Sequence, residues 1–143
     1  MKNKILIMFI IATTLFIVGC NSTGKVIADT EFVKIPLTDI SNTVKFYEHE
    51  DNGITIKYFA VLGSDGKPRT AFDACDVCGG YKGYEQTGND ITCRNCGRVF
   101  SIDGLGTQNK GYGCWPSYLP HEIEGNNLLI KISDIKSGKS RFA

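Results

Sequence analysis

Two copies of the pattern Cys-x-x-Cys-Gly, Cys75-Asp76-Val77-Cys78-Gly79 and Cys93-Arg94-Asn95-Cys96-Gly97, stand fourteen residues apart in this chain. A two-residue gap puts both sulfurs of one turn within reach of one metal at about 2.3 Å. Soft thiolate donors select zinc, iron or iron–sulfur clusters. Four thiolates around a divalent metal leave a net charge of about −2, which backbone N–H groups turned toward the sulfurs offset. Gly79 and Gly97, directly after the second cysteine of each pair, suit the positive φ that such turns require. Arg94, Arg98 and Lys82 stand close in sequence, opposed by Asp73 and Asp76, and these charges read as a solvated face. Cys75, Cys78, Cys93 and Cys96 are therefore the expected metal ligands.

The other two cysteines pose different questions. Residues 1–19 join a short basic start, Lys2 and Lys4, to an apolar run that is short for a membrane span but fits the core of a signal peptide. The run ends in Ile17-Val18-Gly19-Cys20, which resembles a lipoprotein cleavage motif and makes Cys20 the expected lipidation site. Removing nineteen residues from 143 leaves 124, enough for one domain burying roughly two thirds of its unfolded surface. The processed chain keeps 14 of its 16 basic residues and all 15 acidic ones, a balance of 14 − 15 = −1. No basic patch suited to nucleic acid appears. Five cysteines remain after Cys20, an odd number that disulfides alone cannot satisfy. Cys114, in Gly113-Cys114-Trp115-Pro116, reads as a fifth thiolate at the cofactor, a replacement ligand, a reactive thiol or a small buried hydrophobe. His49 and His121 lie far from both knuckles and are expected on exposed strand edges. With no Ser/His/Asp set, phosphate loop or paired carboxylates, hydrolase chemistry has no support, and a non-enzymatic role is favoured.

The elements that must position these cysteines read as short strands and tight turns. Residues 31–37 alternate Val33, Ile35 and Leu37, with Pro36 demoting the segment to a sheet edge. Strands over 43–49 and 54–61 flank Asn52-Gly53, a two-residue hairpin turn. Ser64-Asp65-Gly66-Lys67 turns the chain into a strand over 69–72 that leads to the first knuckle, and Gly88-Asn89-Asp90 leads to the second. A last hairpin pairs 121–124 with 128–132 across Gly125-Asn126-Asn127. No long amphipathic helix or repeat is visible. The fold class is mostly β, with a signal peptide at 1–19, a lipidated cysteine and tether at 20–29, and a metal-thiolate domain at 30–143.

Between Arg69 and Ile132 the order of parts resembles a Rieske domain: strand, ligand loop, hairpin, second ligand loop with the apolar exit Val99-Phe100-Ser101-Ile102, Gly/Pro-rich loop, closing hairpin. Rieske loops mix cysteine and histidine, whereas the matching positions here hold cysteine alone. More specifically, Phe72-Asp73-Ala74-Cys75-Asp76-Val77-Cys78, Gly83-Tyr84, Cys93-Arg94-Asn95-Cys96-Gly97 and Gly113-Cys114-Trp115-Pro116 resemble the FtrD-like membrane iron–sulfur protein family over roughly residues 30–134. That resemblance implies an iron–sulfur cluster or iron, electron transfer, and a membrane iron-transport or electron-transfer partner. With the lipid anchor, it places the domain on the extracytoplasmic membrane face. A structural zinc site in an interaction module and a thiol–disulfide oxidoreductase stay open beside it. The second of these lacks the βαβ pattern expected around a redox Cys-x-x-Cys.

Overall fold

The computed structural model describes residues 31–78, 81–111 and 113–143; the signal peptide, Cys20 with its tether, Gly79, Gly80 and Tyr112 lie outside the described residues. Among the described residues, ten strands form three antiparallel sheets. β1 (Phe32–Pro36), β10 (Asn127–Lys131) and β9 (Glu122–Glu124) make the first, in the order β1-β10-β9. β2 (Lys45–Asp51), β3 (Ile54–Leu62), β4 (Pro68–Cys75) and β8 (Pro116–Tyr118) make the second, in chain order. β5 (Tyr84–Thr87), β6 (Asp90–Cys93) and β7 (Val99–Ser101) make the third. A short helix, α1 (Ile132–Ser137), follows β10.

The turns arise where the residues permit them. Asn52 and Gly53 have φ of 51° and 78° and connect β2 to β3, with Asp51 paired to Ile54. Pro36 ends β1, which lies at the edge of its sheet, where a missing N–H costs no ladder bond.

β3 is covered on both sides. Successive side chains of a strand point to opposite faces. Ile56, Tyr58 and Ala60 pack with Phe72 and Ala74 of β4 against Ile35, Leu128, Ile130 and Ile135 of the first sheet and α1. Phe59, Val61 and Ala71 point the other way, onto Tyr84, Ile91, Cys93 and Phe100 of the third sheet. The four-stranded sheet thus separates two cores, and the thiols belong to the second.

Four expectations are corrected. β4 does not stop at Phe72 but runs through Asp73 to Cys75, because Asp73, although 6% exposed, finds donors in the Tyr81 hydroxyl at 2.5 Å and the Tyr84 N–H at 2.7 Å. Asp73 is thus no part of a solvated face. The closing strand ends at Lys131, and Ile132 opens α1 instead. His121 is half-buried rather than exposed: Thr70 Oγ1 donates to the Leu119 carbonyl at 2.7 Å and lies 2.8 Å from His121 Nδ1.

Candidate metal centre

Three loops converge on one group of sulfurs. The first starts where β4 delivers Cys75. The Asp76 N–H donates to the Trp115 carbonyl at 3.0 Å, and the N–H groups of Val77, Cys78 and Trp115 point at the Cys75 sulfur. The second begins where β6 ends at Cys93. It closes through Gly97 N–H to the Cys93 carbonyl at 2.8 Å and Cys93 N–H to the Arg98 carbonyl at 2.9 Å. Gly97 has φ of 74°, as the knuckle requires, and frees the Arg98 N–H to point at Cys96. The Arg94 N–H, donating to the Gly83 carbonyl at 3.0 Å, ties the two loops together.

The third loop, between β7 and β8, brings in Cys114. It is held by Asn109 Nδ2 donating to the Gly113 carbonyl at 3.0 Å and by Trp115 Nε1 donating to the Thr107 carbonyl at 2.9 Å. The Trp115 ring meets Phe100 edge-on at 5.6 Å. Cys114 Sγ then lies 3.4 Å from Cys78 Sγ and 3.4 Å from Cys96 Sγ. The Cys75, Cys78 and Cys114 sulfurs fall within 4.8 Å of one another, and so do those of Cys78, Cys93 and Cys96. All five thiols are free; Cys93 is buried, Cys96 exposed and the others half-buried.

The backbone and the sulfurs tune one another. Burial pushes the Cys75 thiol up, but the N–H groups aimed at it outweigh burial and hold it below the usual thiol range. The Arg98 N–H, helped by the Cys114 thiol, brings Cys96 down to about 7. Cys78, ringed by the sulfurs of Cys114, Cys75 and Cys96, is pushed well above that range, and Cys114 is pushed up by Cys96. Such a set of converging thiols, with backbone N–H groups aimed at Cys75 and Cys96, is the chemistry of a metal or cluster bound by sulfur.

A buried hydroxyl points the same way. Tyr84, 3% exposed, opposes Cys93 across the β5–β6 ladder, and its hydroxyl has no well-formed hydrogen bond among the described residues. Burial, then the nearby Cys75 and Cys93 thiolates, push its ionisation far up, so it remains a donor beside sulfur acceptors. An unpaired buried donor is costly, and a metal-bound thiolate or a sulfide would satisfy this one. The residues present therefore fit an iron–sulfur or metal–thiolate group.

The charged residues near the loops divide. Arg94 pairs with Glu85 at 3.5 Å, with both side chains more than half exposed. Asp76 pairs with Arg141 at 3.7 Å, and the Arg141 guanidinium covers the Phe72 ring at 5.4 Å. Phe142 meets the Tyr81 ring at 4.9 Å. This C-terminal brace of the first loop was not foreseen, because its partners lie far away in sequence. Between brace and loop lies a cavity of about 490 Å³ whose wall includes Cys75, Cys78 and the buried Cys93. Tyr84 had a sequence signal: it alternates with Gln86 on the inward face of β5. His49 and His121 stay outside the sulfur group, and no helix of the described residues is long and apolar enough to cross a membrane. Cys20 lies outside the described residues.

A family model described as "Membrane iron-sulfur containing protein FtrD-like" matches residues 40–142, which takes in all three loops. No curated protein and no solved structure matches the chain.

Proposed function

Since the chain belongs to the FtrD-like family of membrane iron–sulfur containing proteins, we propose that it is a lipid-tethered electron carrier on the extracytoplasmic membrane face, working with a membrane iron-transport or electron-transfer protein. In this reading Cys75, Cys78, Cys93 and Cys96 hold an iron–sulfur cluster or iron, and Cys114 lies at the cofactor. The observation that carries it is the convergence of free sulfurs from three separate loops, with Cys114 touching one cysteine of each knuckle at 3.4 Å. When bound, the group supplies one-electron redox chemistry. The chain's own residues do the rest. Backbone N–H groups of Val77, Cys78, Trp115 and Arg98 offset the thiolate charge, Trp115 and its loop shield the site, and Cys96 forms its exposed edge. Val77, within the first knuckle, and Val99, just after the second, are both more than half exposed and suit a docking partner.

Two rival readings have different standing. The same donors fit structural zinc. A thioredoxin-like oxidoreductase is poorly supported, since every strand pair among the described residues is antiparallel. Protein purified without oxygen is expected to show broad visible absorption that bleaches with dithionite, together with iron and acid-labile sulfide. Colourless protein containing only zinc would replace electron transfer with the scaffold role. Anchoring has its own test. Cys20→Ala is expected to accumulate as precursor or to be released, since each acyl methylene contributes about 0.8 kcal/mol of membrane affinity. Mature-length variant that fractionates normally with membranes would remove the lipid anchor.

A further inference from the structure

Five thiolates are one more than a single tetrahedral metal accepts. Around one metal at about 2.3 Å, four sulfurs stand about 3.8 Å apart, and a fifth has no place. The sulfurs of this protein instead fall into overlapping sets of three, Cys75/Cys78/Cys114 and Cys78/Cys93/Cys96, each within 4.8 Å, with Cys114 also 3.4 Å from Cys96 where the sets meet. Cys78 is common to both. Its sulfur also has neighbours on three sides, Cys75, Cys96 and Cys114, whereas Cys93 is enclosed by the core.

We infer that the site is a two-metal centre in which Cys78 is the shared thiolate, Cys75 and Cys114 complete one metal's protein donors, and Cys93 and Cys96 complete the other's. Each metal then has three protein sulfurs and keeps one position for an exogenous ligand such as sulfide. Charge favours this arrangement. Five thiolates leave about −3 with one divalent ion but about −1 with two, and surplus charge is costly in a half-buried site. The three loops have a matching division of labour. The first supplies Cys75 and the shared sulfur, the second supplies one metal's remaining pair, and the third supplies the single donor without which the other metal has only two.

The inference rests on the thiolate-site reading of the preceding subsection, and the test separates their failures. Full-length reduced protein in detergent is titrated anaerobically with cobalt(II), following the sulfur-to-cobalt absorption and the mass of the native complex. Wild-type protein is expected to saturate at two cobalt ions per chain. Cys114→Ser and Cys75→Ser should each retain one, and Cys78→Ser should retain neither. Saturation of wild type at one ion, two ions still bound by Cys114→Ser, or one ion retained by Cys78→Ser would overturn the shared-thiolate centre while leaving a thiolate site standing. Absence of any sulfur-to-cobalt band in wild-type protein would overturn the metal site itself. Far-UV circular dichroism of the variants guards against misfolding. The wild-type stoichiometry decides between one metal and two without any variant.

Discussion

The two faces of the β2-β3-β4-β8 sheet are closed by different means. Toward β1 and β10, Ile56, Tyr58 and Phe72 meet Ile35, Leu128 and Ile130, a core of aliphatic and aromatic side chains. Toward β5–β7, Phe59, Val61 and Ala71 meet Tyr84, Ile91 and Phe100, with Cys93 buried among them and Cys75, Cys78 and Cys114 packed at the margin. Asp73 and the unpaired Tyr84 hydroxyl lie on this side as well. The first face is closed mainly by apolar packing, although it also encloses the Tyr47 hydroxyl and the Thr70–His121 contact. The second carries polar and ionisable groups that are costly when unpartnered, so its stability should depend on what the sulfurs bind.

The strongest challenge to this contrast is Cys93→Ser, at a position 1% exposed. We expect loss of the metal that Cys93 and Cys96 would hold, and of metal-linked stability on the order of 10 kcal/mol. Hydrogen exchange should quicken first in β5–β7, while β1 and β10 keep their protection. Unchanged metal content and melting temperature would show that the second face closes without metal. Leu128→Ala strikes the opposite side, where the side chain is fully buried. A cost of about 2–5 kcal/mol is expected in urea denaturation, with metal content retained. Metal lost together with that stability would mean that the two faces form one cooperative unit.

How much of this was legible beforehand depends on how locally each feature is specified. The Asn52-Gly53 turn was readable because positive φ at two consecutive residues restricts the choice of side chain. The Cys-x-x-Cys pairs were readable because each ligand pair is made within one turn. β4 was read short because a carboxylate at position 73 argues for a loop until Tyr81 and Tyr84, eight and eleven residues on, are brought against it. The approach of Cys114 to Cys78 spans 36 residues and to Cys96 eighteen, so no local pattern could distinguish a ligand from a buried thiol. Likewise, His121 was read as exposed because its partner Thr70 is 51 residues away.

That histidine gives the first face a titratable group of its own. Because Thr70 Oγ1 donates to the Leu119 carbonyl, His121 Nδ1 is the donor of their shared hydrogen bond. Burial, then the Arg69 charge, holds its pKa below the ordinary 6.5. A folded-state pKa below the unfolded one means that the unfolded chain takes up the proton first. The contribution to stability is therefore present above 6.5 and lost as pH falls through the folded value. Metal-free wild type should lose stability relative to His121→Gln between pH 7 and pH 5 by at most about 1.4 kcal/mol per pH unit. A constant difference in urea midpoint across that range would remove His121 from the pH response.

The smallest expected effect on the second face concerns one oxygen atom. Tyr84 packs edge-on against Phe59 at 6.2 Å and Phe100 at 6.3 Å, contacts that a phenylalanine would keep. Its hydroxyl lacks a good partner among the described residues and lies beside thiolates. In metal-free protein, Tyr84→Phe removes a buried hydroxyl whose nearest acceptor is the Cys75 sulfur, so stability should change by less than about 1 kcal/mol. In metal-loaded protein the same oxygen would donate to a bound sulfur, and donors of that kind tune a centre more than they hold it. We therefore expect the variant to keep its full metal content while its visible absorption or reduction potential shifts. A spectrum and potential identical to wild type would reduce Tyr84 to packing.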